Sequence, residues 1–424
     1  MEEPQPMGDV PGGSIGSPAR RAVAPLVLPL LLTSLACGGS EGTTLVTSSD
    51  PRLAAIAVRI LPDLVSRSGM ELRDPVRVER RSRAELARYL EFKIDEEFPE
   101  GRAELVSEAY ALLGLVPSDM DLRGTLKTLY LEQIAGFYDP DSTTLFVLDD
   151  QPDEAIESLL VHELVHAIQD QSTDLDAITA PGLDNDRRVA ALAAIEGHAT
   201  LVMFEFLMQQ QGQGALDLTD LPNFSARFGP ALEVARTESP TLAGAPLVLQ
   251  ESVLFPYRGG VTFVEALWKE RGGRPPPFGS DLPGSTEQIL HPEDFARGQQ
   301  DAPRRVEVLV EDGWIRLYED TLGELELGIL LETVGASRTY AFGWGGDRYV
   351  LLGDGDGPRS LVWFGVWDTR AQRDRFILEL EPHLSAFPKQ ASLTALEIGG
   401  LPSTLLLVGH VPDVTASVRD VDPE

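Results

Sequence analysis

Between residues 51 and 302 the apolar positions recur at intervals of three and four, the spacing of helices that bury one face. Residues 53–70 form the first such stretch, with Pro62 placed to bend or split it. Residues 76–79 read as a short strand. Residues 82–98 open on a capping signature, Ser82-x-x-Glu85, ahead of Leu86, Tyr89, Leu90 and Ile94. Helices over 102–113 and 122–134 continue the scaffold. Residues 135–148 read as strand, turn, strand, with Asp139-Pro140-Asp141-Ser142 supplying the turn and a β-branched and aromatic run after it. A helix starting near Pro152 and Asp153 follows, so the hairpin runs almost directly into it. The bare edge of such a hairpin can pair with an extended peptide backbone, or the hairpin can be purely structural. A long helix rich in alanine and leucine covers 189–211.

After about Ala302 the pattern shifts to short strands at 306–310, 314–318, 348–352, 360–367 and 404–408, interleaved with helices at 322–335 and 371–384. The expected fold class is α+β: a mainly helical domain with a small edge sheet over 51–302, then a small α+β domain with an antiparallel sheet over 303–424. Within the second, Gly343-Trp344-Gly345-Gly346-Asp347 suits a tight turn with an aromatic anchor, or a ligand loop. Arg274-Pro275-Pro276-Pro277 is a stiff loop.

The helix over 159–170 has an unusual distribution of side chains. At about 100° per residue, His162, Glu163, His166, Gln169 and Asp170 gather in one arc, and the rest of the circumference is apolar. Such a helix is buried on most sides, with one polar seam that needs partners. His162 and His166, four residues apart, aim two imidazoles at one point, which suits zinc. Glu163 is badly placed as a third ligand but can act as general base on a metal-bound water. A histidine six residues after His166 would complete a metzincin site, but that position is Ser172. The remaining candidates are Asp184, Asp186, Glu196 and His198. Glu196 is the one acid in the apolar first half of the 189–211 helix, where an unpaired charge is costly. His198 lies about 200° round from it, so the two cannot share an ion. Glu196 is therefore the expected third ligand, and Gly197 beside it suggests a close approach by another backbone. Asp170, one turn after His166, is a candidate to orient a ligand.

The net charge of −32 argues against nucleic acid as a partner. At the front, Arg20 and Arg21 precede an apolar run broken by Pro25 and Pro29, then Ser34-Leu35-Ala36-Cys37 and a small polar stretch. Residues 1–36 read as a signal segment and 37–50 as a flexible tether. The run is too short and broken for a membrane span. It resembles a bacterial lipoprotein signal with Cys37 as the lipidated residue, although Ser34 stands where leucine is commonest. The implied location is the cell envelope, exported and membrane-anchored. Cys37 is the sole cysteine, so no intramolecular disulfide forms.

His162-Glu163-Leu164-Val165-His166, followed thirty residues later by Glu196-Gly197-His198-Ala199, resembles the gluzincin group of zinc metallopeptidases. More closely, the chain resembles bacterial metallopeptidase-like lipoproteins that share a Gly-Phe-Tyr-Asp-Pro turn (Gly136 to Pro140), a Pro-Tyr-x-x-Gly segment (Pro256 to Gly260) and Ser-Thr-Glu-Gln-Ile-Leu-His-Pro (Ser285 to Pro292). This resemblance spans roughly residues 75–300. It implies a zincin-like catalytic domain, one Zn2+ held by His162, His166 and Glu196, water activation by Glu163, a peptide or protein substrate, and residues 145–148 as the substrate-facing edge. Thermolysin-type enzymes carry an aspartate four residues after the ligand glutamate, where this chain has Thr200. Candidates to stabilise the oxyanion are Tyr257, in an expected turn between Pro256 and Gly259-Gly260, and His291, at the end of a short helix opened by Ser285. The alternatives are an envelope lipoprotein with a structural metal and a partner-binding C-terminal domain, and a zinc amidase acting on a non-peptide substrate.

Overall fold

In the computed structural model, residues 45–420 are described, apart from 100, 211–217, 219–220, 222–223, 300, 312 and 354–356. The expected signal segment 1–36, Cys37 and the tether residues up to 44 lie outside them. The chain begins with β1 (Val46–Thr47), α1 (Pro51–Ser68), β2 (Val76–Arg81), α2 (Arg83–Glu97), α3 (Arg102–Leu112) and α4 (Leu122–Gln133). β3 (Gly136–Asp139) and β4 (Thr144–Leu148) lead into α5 (Ile156–Thr173), a short α6 (Leu175–Ile178) and the long α7 (Asn185–Gln210). Then come α8 (Phe224–Glu238), α9 (Pro240–Gly244), α10 (Leu247–Arg271), α11 (Thr286–Leu290) and α12 (Pro292–Ala296). The remainder is β5 (Arg305–Val310), β6 (Ile315–Asp320), α13 (Gly323–Thr333), β7 (Trp344–Gly353), β8 (Ser360–Trp367), α14 (Arg370–Leu380), β9 (Ala391–Ile398), β10 (Leu401–Val408) and β11 (Val414–Arg419).

The fold is α+β: helices dominate the first part, and a five-stranded antiparallel sheet, ordered β6-β7-β8-β10-β9, forms the last. A separate mixed sheet, β1-β2-β4-β3, lies beside α5, and β5 pairs with β11. Local chemistry explains several boundaries. Both arms of the Ser82–Glu85 capping box form at the start of α2, a device that contributes about 1 kcal/mol. The turn between β3 and β4 closes through a 3-10 turn at Pro140–Ser142, with Thr143 left-handed at φ 47°.

Three expectations are corrected. Pro62 does not split its helix: it is exposed, and the carbonyl it leaves unpaired belongs to Val58, which is also exposed and open to water. Pro256 to Gly260 is not a turn but the middle of α10. The reason is a close helix crossing. A Cβ on Gly197 would lie 2.1 Å from the Gly260 carbonyl carbon, and one on Gly260 would lie 1.9 Å from the Ala193 carbonyl oxygen. The two glycines let α7 and α10 approach backbone to backbone, as Gly197 suggested. Gly343 to Asp347 is likewise not a free turn: residues from Trp344 onward enter β7, with a register shift between Trp344 and Gly346 against β8.

α7 is the one described helix long and apolar enough to cross a membrane, but 72% of its most apolar window is buried inside the fold, as for a core helix. The composition change near residue 302 marks the passage from helices to sheet. One apolar core nonetheless runs across it, from Leu53 through Leu164 and Phe263 to Trp363 and Leu406. Buried polar groups join there too: the Tyr110 hydroxyl donates to Glu326 at 2.8 Å, Asn185 Nδ2 donates to Glu326 at 2.7 Å, and the Thr286 N–H donates to Asp186 at 3.0 Å.

Candidate metal centre

α5 packs against α1, α7, β3 and β4, so its apolar arc is fully enclosed. Each member of its polar seam finds a neighbour. His162 Nε2 lies 3.1 Å from Glu196 Oε2, His166 Nε2 lies 3.1 Å from His162 Nε2, and His166 Nε2 lies 3.6 Å from Glu196 Oε2. α5 supplies the two imidazoles and α7 the carboxylate. The close crossing at Gly197 and Gly260 brings α10 against the same turn of α7.

These separations fit a metal. Ligand atoms about 2.0–2.1 Å from a tetrahedral zinc are about 3.3 Å from one another, close to the three observed values. The histidine side chains are 14% and 8% exposed and Glu196 is 20% exposed, so the site is lined by buried groups yet open on one side. A catalytic zinc needs that open fourth position.

The tautomer of His166 follows from its surroundings. Gln169 Nε2 lies 3.0 Å from the Ile195 carbonyl, which only accepts, so this nitrogen identifies the amide orientation. Gln169 Oε1 then faces His166 Nδ1 at 2.8 Å, and that nitrogen must carry the proton. In the neutral ring the lone pair is left on Nε2, pointing at the triad. The same amide nitrogen meets His198 Nδ1 at 3.0 Å, and His198 Nε2 donates to the Ser68 carbonyl at 3.2 Å. Burial lowers the His198 pKa to about 4, against the pull of that carbonyl, so this ring is neutral. His162 Nδ1 is buried with no hydrogen-bond partner.

Electrostatics bind the group together. Burial opposes the charge on His166, but the Glu196 carboxylate outweighs it and raises the pKa to about 9. Burial likewise opposes the charge on Glu196, and the two imidazoles overcome it, holding that carboxyl far below its usual range. Glu163 is 8% exposed, and burial raises its pKa, while His166, His162 and a hydrogen bond from the Tyr138 backbone pull the other way. A desolvated carboxylate next to a cation site is a good proton acceptor.

Tyr257, on α10, lies at this site. Its ring is 6.3 Å from that of His162, and its phenol lies close enough to Glu196 to feel that charge. The charge of Glu196, then burial, pushes the phenol well above its ordinary range, so it is present as a donor. Asp170 is engaged elsewhere: it accepts from the Tyr138 hydroxyl at 2.9 Å and the Leu175 N–H at 3.2 Å. The partner of His166 is Gln169 instead. His291 belongs to a different cluster, 2.9 Å from Glu324 on α13 and edge-on to Phe342. Residues 145–148 are not an edge. β4 sits between β2 and β3, because β2 adds in parallel on its other side, so the edge strand beside Glu163 is β3. Tyr138 on that edge turns its backbone toward Glu163 and its hydroxyl toward Asp170.

Gln169 and Tyr138 were not singled out from sequence for these parts. Gln169 shared the polar seam, which was a usable signal; the contact of Tyr138 depends on how β3 lies against α5. Among known proteins, a family model described as a domain of unknown function (DUF8575) matches residues 313–395, in the C-terminal sheet region and away from this triad. No curated protein and no solved structure matches the chain significantly.

Proposed function

We propose that the chain is a zinc-dependent peptide hydrolase of gluzincin type, with His162, His166 and Glu196 as metal ligands. The observation that carries this reading is the triad spacing of 3.1, 3.1 and 3.6 Å, together with a hydrogen-bonded Gln169 that leaves the His166 Nε2 lone pair free. Zinc held there supplies Lewis acidity toward a carbonyl and acidifies water. Glu163 takes the proton from the attacking water as the new carbon–oxygen bond forms. It then delivers that proton to the amine as the carbon–nitrogen bond breaks. The Tyr257 hydroxyl is the donor available to the oxygen that gains charge, a contribution typically of about 10²–10³ in rate. The free edge of β3, next to Glu163, offers backbone groups to an extended substrate. The net charge of −32 and the signal-like N-terminus ending at Cys37 support an exported, lipid-anchored protein with no nucleic-acid partner.

The test is a peptide-library digest with and without chelator, alongside zinc content. The reading requires one zinc per chain, its loss in Glu196→Ala, and cleavage that disappears with chelator and returns with zinc. Zinc at one equivalent with no cleavage of any peptide would instead favour a structural metal in an envelope protein.

A further inference from the structure

A second group of acids lies outside the triad. Glu287 on α11, Asp301 in the segment before β5, and Asp368 in the turn from β8 to α14 bring carboxylate oxygens within 4.8 Å of one another. Glu287 is 5% exposed, and its Oε2 is fully buried with no hydrogen-bond partner. An unpaired buried carboxylate oxygen is a costly feature. Asp301 and Asp368 are exposed, which leaves one side of the group open to water. Neighbouring backbone is held in place: Gln288 Nε2 donates to the Asp301 carbonyl at 3.0 Å, and the Asp368 N–H donates to the Gly343 carbonyl at 3.0 Å. Arg304, one of the cations whose charge acts on Asp368, is paired with Asp420.

We propose that Glu287, Asp301 and Asp368 form a binding site for a hard divalent cation of the Ca2+ type, clamping the helical part of the chain to its C-terminal sheet. All three donors are oxygens, which suits Ca2+ rather than the softer metals. With bonds of about 2.3–2.6 Å, oxygens around one Ca2+ lie no farther apart than about 4.6–5.2 Å, and three oxygens that all lie within 4.8 Å of one another can share one such ion. The buried face carries Glu287; water fills the open face, as a coordination number of about six to eight requires. Without a cation the group repels itself. Burial, then Glu324, Asp301 and Asp368, raises the Glu287 pKa to about 10, and burial with Asp301 raises that of Asp368 to about 6. The site gives a role to the acid within Ser285-Thr286-Glu287-Gln288.

The experiment is calorimetric titration of the zinc-loaded full chain with CaCl2, paired with thermal unfolding with and without Ca2+. The expected result is one Ca2+ bound, a raised unfolding temperature, and affinity at least tenfold weaker in both Glu287→Gln and Asp368→Asn. Glu293→Gln, which removes an exposed charge next to α11, should leave the affinity unchanged. Glu287→Gln should also fold about as stably as wild type without Ca2+, because it replaces a carboxyl that burial already keeps protonated with a neutral side chain of the same shape. Absence of Ca2+ binding by wild type, or wild-type affinity in both variants, overturns the proposal.

Discussion

Gln169 decides which nitrogen of His166 is left free, and it does so with an amide whose own orientation is set by Ile195 and His198. Such outer partners of metal ligands are typically worth about 10- to 100-fold in metal affinity. Gln169→Leu should therefore weaken zinc binding by that factor, as read by competition with a chromophoric chelator. Tyr257→Phe should keep zinc and lower kcat about 10²–10³-fold with little change in KM, since the hydroxyl acts where charge develops. The histidine pair was legible because i, i+4 spacing on a helix needs nothing beyond the helix. The part played by Gln169 was not, because its partners Ile195 and His198 come from another helix. Asp170 looked equally suitable on the seam and is taken by Tyr138 and Leu175 instead.

At the scale of elements, the crossing of α7 and α10 sets the geometry of the site. Glu196 precedes Gly197 on one helix and Tyr257 stands one turn before Gly260 on the other, so the contact that the glycines permit also brings the phenol near the carboxylate. Gly260→Ala forces backbone apart and should destabilise the chain by about 1–3 kcal/mol, measured from its urea midpoint. It should also weaken zinc binding, whereas Gly101→Ala, where nothing lies within 4 Å, tests only the strain of its left-handed φ of 80°. Proline and glycine together made 256–260 read as a turn, since local rules treat both as breakers. The tertiary contact reverses this, because Gly260 is needed for the close approach. The carbonyl that Pro256 leaves free belongs to the exposed Ser252. β4 was mistaken for an edge for a related reason: β2, more than sixty residues earlier, pairs along its far side.

For the whole molecule, a feature hidden from composition is how many acids are buried where the helical part meets the sheet. Burial raises the pKa of Glu326 to about 8 and that of Asp347 to about 7. In the unfolded chain both titrate near about 4. The folded state thus keeps protons on these two acids that the unfolded state loses, and the stability they contribute falls as pH rises from about 4 to 8. Thermal unfolding across that range should show the decline, and Glu326→Gln should flatten its upper part while retaining a side chain for Tyr110 and Asn185 to bond. The α+β class and the antiparallel C-terminal sheet were readable from periodicity, since β8 and its neighbours are short runs dense in apolar residues. The continuity of the core across residue 302 was not, because composition records where architecture changes and not which faces meet.

The central claim rests on Glu163 as the proton carrier beside a zinc held by His162, His166 and Glu196. The direct measurement is the initial rate of peptide hydrolysis by Glu163→Gln against wild type, with zinc determined in the same samples. The account predicts one zinc per chain in both proteins and a rate at least about 10²–10⁴-fold lower in the variant. Hydrolysis at the wild-type rate by zinc-loaded Glu163→Gln would contradict it.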